Sequence, residues 1–333
     1  MMQIRNRTLP SRMPLRRFFP WMFLAALVLM KAGAVSGQTY PNKPIRIVTG
    51  SVGSGLDVMS RLVAPGLASA LGQPVIVENR SSAIIPAQAV SRSTPDGYTL
   101  LAHGVSFWIL PLLQDSVPYD PVRDFAPITL AVSAPAILVA HPSLPAASVK
   151  ELIALAKARP GELNYASALT GSINHLAAEL FKAMAGVNIV RIPYKGTGPA
   201  INALIAGEAQ LSFANAAAAL PHVKSGRLKA LAVTSAAPSA LLPGMPTVAA
   251  SGLPGYEAEN MNGLFAPAKT PAAIVGRLNR ECVRILNGPD VKEKFLNSGV
   301  EVIGSSPEKF AARIKSEIAR MGKVIKDAGI RAE

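Results

Sequence analysis

From Ile45 onward the chain alternates short runs rich in β-branched residues with stretches whose apolar residues recur at helical spacing. That alternation leaves few architectures open, chiefly α/β layers in which helices cover mainly parallel sheets. Ile45–Thr49 reads as a first strand. A Gly/Ser turn follows, then a helix with Met59, Leu62, Val63, Leu67, Ala70 and Leu71 on one face, ended by Gly72. Pro65-Gly66 is expected to bend that helix. Val75–Glu78 and Tyr98–Ala102 read as strands flanking a helical segment at Pro86–Ser93, and Ala126–Val132 and Ala136–Ala140 as two extended runs. Ser148-x-x-Glu151 forms a capping box that opens a helix closed by Pro160-Gly161. The alternation then repeats through strands near Asn164–Ala166, Ile189–Pro193, Gln210–Phe213 and Ala230–Thr234, with helices at His175–Ala185 and Pro199–Ala206 and a short one before Ala230. Residues 236–256 read as a loop, Leu264–Pro267 as a strand, and Thr270-Pro271 and Ser306-Pro307 open two closing helices.

Two sets of β-α-β units with helices left over predict two doubly wound α/β lobes with a ligand cleft between them. The chain is expected to cross to the second lobe near residue 130 and return near 260. Lobe 1 is then residues 38–130 with 260–333, and lobe 2 is residues 131–259.

The first residues point to export. Arg5, Arg7, Arg12, Arg16 and Arg17 precede the apolar run Trp21–Met30, and small residues lead to Val35-Ser36-Gly37. A basic segment, a short apolar core and a small-residue exit make a secretory signal peptide. The run is shorter than the roughly 20 residues that span a bilayer. Cleavage near Gly37 puts the protein in the periplasm, by the general or the twin-arginine route (Arg16-Arg17 permits either). Residues 1–37 hold six of the 34 Lys and Arg and no acid, so 28 basic residues against 20 acidic ones remain after cleavage. That moderate excess suits an anionic ligand. The basic residues are scattered singly, which argues against nucleic acid. Cys282 is the only cysteine, so no intramolecular disulfide and no cysteine-based metal site can form; its helical apolar stripe predicts a buried thiol.

In doubly wound sheets ligands sit at the carboxyl ends of strands, against helix N-termini. Three loops qualify. The first, Ser51, Val52, Gly53, Ser54, Gly55 and on to Asp57, lacks both the third glycine of a dinucleotide fingerprint and a Walker lysine. The second contains Ala168, Thr170, Gly171, Ser172 and His175, and the third Tyr194, Lys195 and Gly196. His103 follows a predicted strand and can face the cleft. The four histidines form no metal-spacing pair and no Gly-x-Ser-x-Gly elbow occurs, so neither a metal, a cofactor nor a catalytic set is predicted.

A series of short motifs resembles a known family. Tyr40-Pro41-Asn42-Lys43-Pro44-Ile45, Leu71-Gly72-Gln73-Pro74-Val75-Ile76-Val77-Glu78-Asn79-Arg80 and Pro95-Asp96-Gly97-Tyr98-Thr99 come first. Tyr119-Asp120-Pro121, Pro193-Tyr194-Lys195-Gly196, Leu220-Pro221-His222 and Gly263-Leu264-Phe265-Ala266-Pro267 follow in order. Together they are similar to the substrate-binding receptors of tripartite tricarboxylate transporters, the Bug family. The resemblance implies a two-lobed fold of the type II periplasmic binding protein kind, closing over a small organic anion held by backbone N–H groups. It also implies a monomer, a membrane permease of the tripartite type as partner, and ligand roles for Ser81, Ser82 and Asn215. The chain departs from the family pattern in four places. The first loop lacks the usual prolines, Ser81–Ile85 has no glycine, Met261-Asn262 stand where a tryptophan is common, and Ala214 stands where an aspartate is common. Three readings follow: a periplasmic receptor for a carboxylate, a binding protein serving a signalling partner, and an exported enzyme on the same scaffold with His103 or His175 as base.

Overall fold

A computed structural model describes residues 40–168 and 170–331, so the expected leader and its cleavage point lie outside the described residues. The elements below all belong to the compact unit Lys43–Glu333. The first group comprises β1 (Ile45–Thr49), α1 (Gly55–Leu71), β2 (Val75–Asn79), α2 (Ile85–Ser91), β3 (Thr99–Gly104) and α3 (Ser106–Leu113). The long strand β4 (Phe125–Ala140) leads to α4 (Val149–Ala158), β5 (Asn164–Ser167), α5 (Ile173–Ala185), β6 (Val190–Pro193), α6 (Thr197–Ile205), β7 (Leu211–Asn215), α7 (Ala216–Lys224) and β8 (Lys229–Val233). Then β9 (Glu259–Pro267), α8 (Ala272–Leu286), α9 (Pro289–Asn297), β10 (Glu301–Val302) and α10 (Pro307–Asp327) follow.

The strands run in the order β2-β1-β3-β9-β4-β7-β5-β6, with β8 and β10 also paired to β4. Each half keeps a parallel centre, β1 with β2 and β3, and β5 with β6 and β7. The connecting strands are antiparallel, which departs from a mainly parallel expectation. The reason is topological: β4 carries the chain out of the first half and β9 carries it back, so the two run in opposite directions.

β4 is one strand where two extended runs were expected. Residues 125–135 pair with β9 and residues 136–140 with β7 and β8. Pro135 stands where the partners change, a place where a missing backbone N–H breaks no continuing ladder. Thr234 clasps the same point, its hydroxyl accepting from the Ala136 N–H and donating to the Ala258 carbonyl at 2.6 Å.

Helix starts follow their capping residues. Ser54, Ser148, Ser172 and Ser306 each accept the N–H three residues on. At α8 the cap is Pro271 itself, and Thr270 instead bonds the Pro267 carbonyl. α1 runs through Pro65 without interruption. Two helices were not expected. α3 is apolar all round, contains Pro111 and has no polar cap, so it carries no amphipathic period. α9 begins at Gly288-Pro289, close behind α8. Cys282 is buried as expected, and burial pushes its thiol up to about 12, which leaves it inert.

Aromatic packing fixes the floor beneath α3. Phe107 lies 4.8 Å from Phe125 and 5.0 Å from Phe265, and Phe265 lies 4.9 Å from Phe310 of α10. In the second half Phe181 packs on Phe213 at 5.6 Å, and the Tyr256 hydroxyl donates to the Ala177 carbonyl. Of these buried rings, Phe107 packs edge to face on Phe125 and Phe265 within a largely aliphatic core.

Candidate functional site

Three helices begin at one cavity of about 290 Å³. The start of α1 contributes Ser54, Gly55 and Leu56 to its wall. The turn from β3 into α3 contributes Gly104, Val105 and Ser106, with Ile109 one turn further. From the second half, Gly171, Ser172 and Ile173 bring the start of α5. Asn260 and Asn262 of β9 complete the lining, which contains no Asp, Glu, Lys, Arg or His. Larger depressions exist elsewhere. One of about 570 Å³ is walled by the carboxyl ends of α3 and α10, and one of about 470 Å³ by residues from Lys43 to Thr99. Neither of these receives a helix N-terminus, and the carboxyl ends at the first carry partial negative charge. A third, of about 530 Å³, lies at the starts of α8 and α10 but has Arg280 and Glu308 in its wall.

Each helix start leaves backbone N–H groups without intrahelical partners and carries about half a positive charge. Ser54 takes the Asp57 N–H and Ser172 takes the His175 N–H. The amides of Gly55, Leu56, Ile173 and Asn174 therefore remain as donors for an occupant. Three such ends converging on a cavity without side-chain charge make a site for an anion.

Buried polar groups set the shape of the loops that carry those starts. Asp57, nearly fully buried, accepts from the Gly53 N–H, Asn79 Nδ2 and Arg61 Nε, all at 2.9 Å. Burial acts to raise its pKa, and those hydrogen bonds outweigh it and hold the carboxyl below its ordinary range. Asn79 also donates to the Gly50 carbonyl, closing the first loop on itself. The second loop is clasped by Arg191 of β6, which donates to Ser167 Oγ, Thr170 Oγ1 and the Ala168 carbonyl at 2.7–3.0 Å. His175 Nδ1 accepts from the Gly171 N–H, and burial with nearby Arg191 pushes the imidazole down to about 4, so it is neutral. Gly171 has φ +74°, a left-handed conformation that only glycine adopts freely.

The structure thus brings Ser54, Gly55, Gly171 and Ser172 to one wall and gives their expected neighbours other positions. Ser51, Val52 and Gly53 are exposed on the preceding loop. Asp57, Ala168, Thr170 and His175 support the loops from behind. Ser82 accepts from the N–H groups of Ile84 and Ile85, beside exposed Ser81. His103 is buried; its Nδ1 accepts from Gly104 N–H, so Nε2 donates to the Ala83 carbonyl, and burial lowers its pKa. Tyr194 donates to Glu208, while Lys195 is exposed, Gly196 is the N-cap of α6, and exposed Asn215 is the N-cap of α7 without a side-chain bond.

Strand order explains the division for the outer loops, though not for Asn215, which follows β7, a strand further in than β5, and lies outside the cavity wall. β2 and β6 are the outer strands, so the loops at Ser81-Ser82 and Tyr194–Gly196 open away from the seam. β1, β3 and β5 lie further in, and their loops meet. Leu56 and Ile173 lie within two of the expected loops, whereas Gly104, Val105, Ser106, Ile109, Asn260 and Asn262 were not anticipated as cavity residues, nor was Arg191. Gly104–Ser106 follows a strand in the same way as the other loops and was legible by that rule once α3 is read as a helix. Asn260 and Asn262 alternate with apolar Met261 on β9, where the one sequence signal is the departure from the family pattern at Met261-Asn262.

A family model for the tripartite tricarboxylate transporter family receptor matches residues 59–330. Protein BugT of Bordetella pertussis is 38% identical over 306 residues, 90% of this chain and 93% of that protein. The solved structure of R. palustris Rpa4515 with adipate is 35% identical, with a TM-score of 0.68 over 88% of this chain and 100% of its own. That of MatC (Rpa3494) from Rhodopseudomonas palustris with bound malate is 28% identical, with a TM-score of 0.65 over 86% of this chain and 100% of its own.

Proposed function

The chain belongs to the tripartite tricarboxylate transporter receptor family, and from that membership we propose that it captures a small organic carboxylate between its lobes and presents it to a membrane permease. It is a two-lobed α/β solute-binding protein, not an enzyme. The observation that carries the ligand class is the meeting of three helix N-termini at a cavity whose walls hold no charged side chain. Two solved relatives, one with adipate and one with malate, support an organic acid as ligand.

The lobes are residues 38–130 with 260–333, and 131–259, and β4 and β9 carry the chain between them, β4 passing from β9 to β7 and β8 at Pro135. The ligand's carboxylate takes the N–H groups at Gly55 and Leu56 from one lobe and at Ile173 and Asn174 from the other. Contacts to both lobes exist together only when the cleft closes, so an occupant favours the closed form. The permease then reads closure as occupancy. Signal-peptide removal near Gly37 places a monomeric receptor in the periplasm. Both ring nitrogens of His103 and the Nδ1 lone pair of His175 are engaged by backbone, which favours a binding role over general base catalysis for both.

The test is thermal unfolding of protein purified from the periplasm and freed of ligand, screened against organic acids. A ligand at a hundredfold excess over Kd stabilises by about 2.7 kcal/mol. One clear shift with a carboxylate supports the reading; a folded protein that responds to no acid contradicts it.

A further inference from the structure

We propose that Asn260 and Asn262 make this receptor select acids bearing an uncharged hydroxyl over the unsubstituted acid and over the corresponding amino acid. The inference rests on the receptor reading above and concerns the part of the cavity beside the carboxylate. Successive side chains of a strand point to opposite faces, so Asn260 and Asn262 share one face while Met261 between them is buried in the core. Both asparagines line the cavity, both are half-buried, and neither side chain bonds to another described residue. Asn262 lies opposite Gly104 in the pairing of β3 with β9. A Cβ at residue 104 would meet the Asn262 side chain and, at 2.9 Å, the Met261 carbonyl, so glycine there makes room for the amide. Asn262 Nδ2 lies 4.0 Å from the Cβ position of Gly55, at the start of α1.

A carboxamide offers donors and an acceptor together, and leaving them dry and unpaired is costly. A hydroxyl both donates and accepts, so it satisfies both amides. A methylene in its place satisfies neither. An ammonium only donates and brings a positive charge, and the lining has no carboxylate to balance it while three helix starts repel it. Val105, Ile109 and Ile173 leave an apolar surface for the carbon skeleton.

The experiment is isothermal titration of the periplasmically expressed, ligand-free protein against acids matched in threes, differing only by H, OH or NH3+. The sets are propionate, lactate and alanine; succinate, malate and aspartate; and glutarate, 2-hydroxyglutarate and glutamate. In at least one set the hydroxy acid is expected to bind about tenfold or more tighter than its two partners. Asn262→Leu should erase that advantage, lowering affinity for the hydroxy acid about tenfold or more relative to the unsubstituted acid. Asn262→Asp, nearly isosteric, should turn preference toward the amino acid, and it carries the test if the leucine variant does not fold. A hydroxyl without advantage in the natural protein, or an advantage that survives both substitutions, overturns the inference and leaves the receptor reading standing. No binding by any of these acids overturns the inference, and the receptor reading falls with it only if the wider thermal screen of organic acids is silent as well.

Discussion

Glu259 stands at the start of β9, beside the point where the chain returns from the second lobe. Arg313 of α10 ion-pairs with Glu257 and lies 3.7 Å from Glu259 and 3.5 Å from Glu317, and Arg320 pairs with Glu257 and Glu317. Three carboxylates thus share two guanidiniums in a buried cluster. Burial, with Glu257 adding to it and Arg313 opposing, raises Glu259 to about 7. The folded protein then holds a proton that the unfolded chain releases above its ordinary value of 4.5. That contribution to stability is complete below pH 4.5 and is lost as pH rises through about 7. His175 acts in the opposite sense: its stability is present above its ordinary 6.5 and is lost as pH falls through about 4. Glu259→Gln is therefore expected to stabilise the protein at about pH 8, by the order of 1–3 kcal/mol, and to flatten the melting temperature between about pH 5 and 8. The acid limb set by His175 should remain. A melting profile of the variant that parallels the natural protein across that range contradicts the assignment.

At the scale of elements, the start of α5 shows why part of the site was legible and part was not. Ser172 sits in a strand–turn–helix context that sequence alone reveals, because a hydroxyl three residues ahead of an amphipathic stripe is a cap. Arg191 is 21 residues from Thr170 and carries no such local signal; only the pairing of β5 with β6 brings it to the loop. The same holds for β9, whose asparagines become wall residues because β9 lies between β3 and β4. α3 was illegible for another reason: its residues are apolar on every side, so its sequence has no polar face and shows no period. The lobes, their parallel centres and most capped starts follow local rules, while the outer loops differ from the inner ones only through strand order. Arg191→Ala leaves β6 in place but frees Ser167, Thr170 and the Ala168 carbonyl. It is expected to weaken ligand affinity about tenfold or more, since displacement of a binding loop by an ångström carries costs of that size, with a much smaller change in melting temperature. Unchanged affinity would detach this loop from the site.

Across the whole molecule, the shared strand is the feature that lets binding be felt at a distance. β4 belongs to both lobes, and β9 and α10 pack at its first half while β7 and β8 pair with its second. Two rigid bodies joined by such a seam can move against each other while each keeps its core. In the proposed site, a ligand held by α1 and α3 on one side and α5 on the other would draw them together because its charge is satisfied from both. The basic excess of the exported chain favours approach of anions without placing a single cation in the cavity wall. Recognition by backbone dipoles also predicts a chemical signature: charge on the ligand matters, and a neutral isostere should fail. The most direct measurement is isothermal titration of the ligand-free protein with a binding carboxylate and with the carboxamide of the same skeleton. The account predicts one saturable site for the carboxylate and an affinity for the amide lower by about a hundredfold or more, the loss of charge-assisted hydrogen bonds at three helix starts. Equal binding of amide and acid would contradict it.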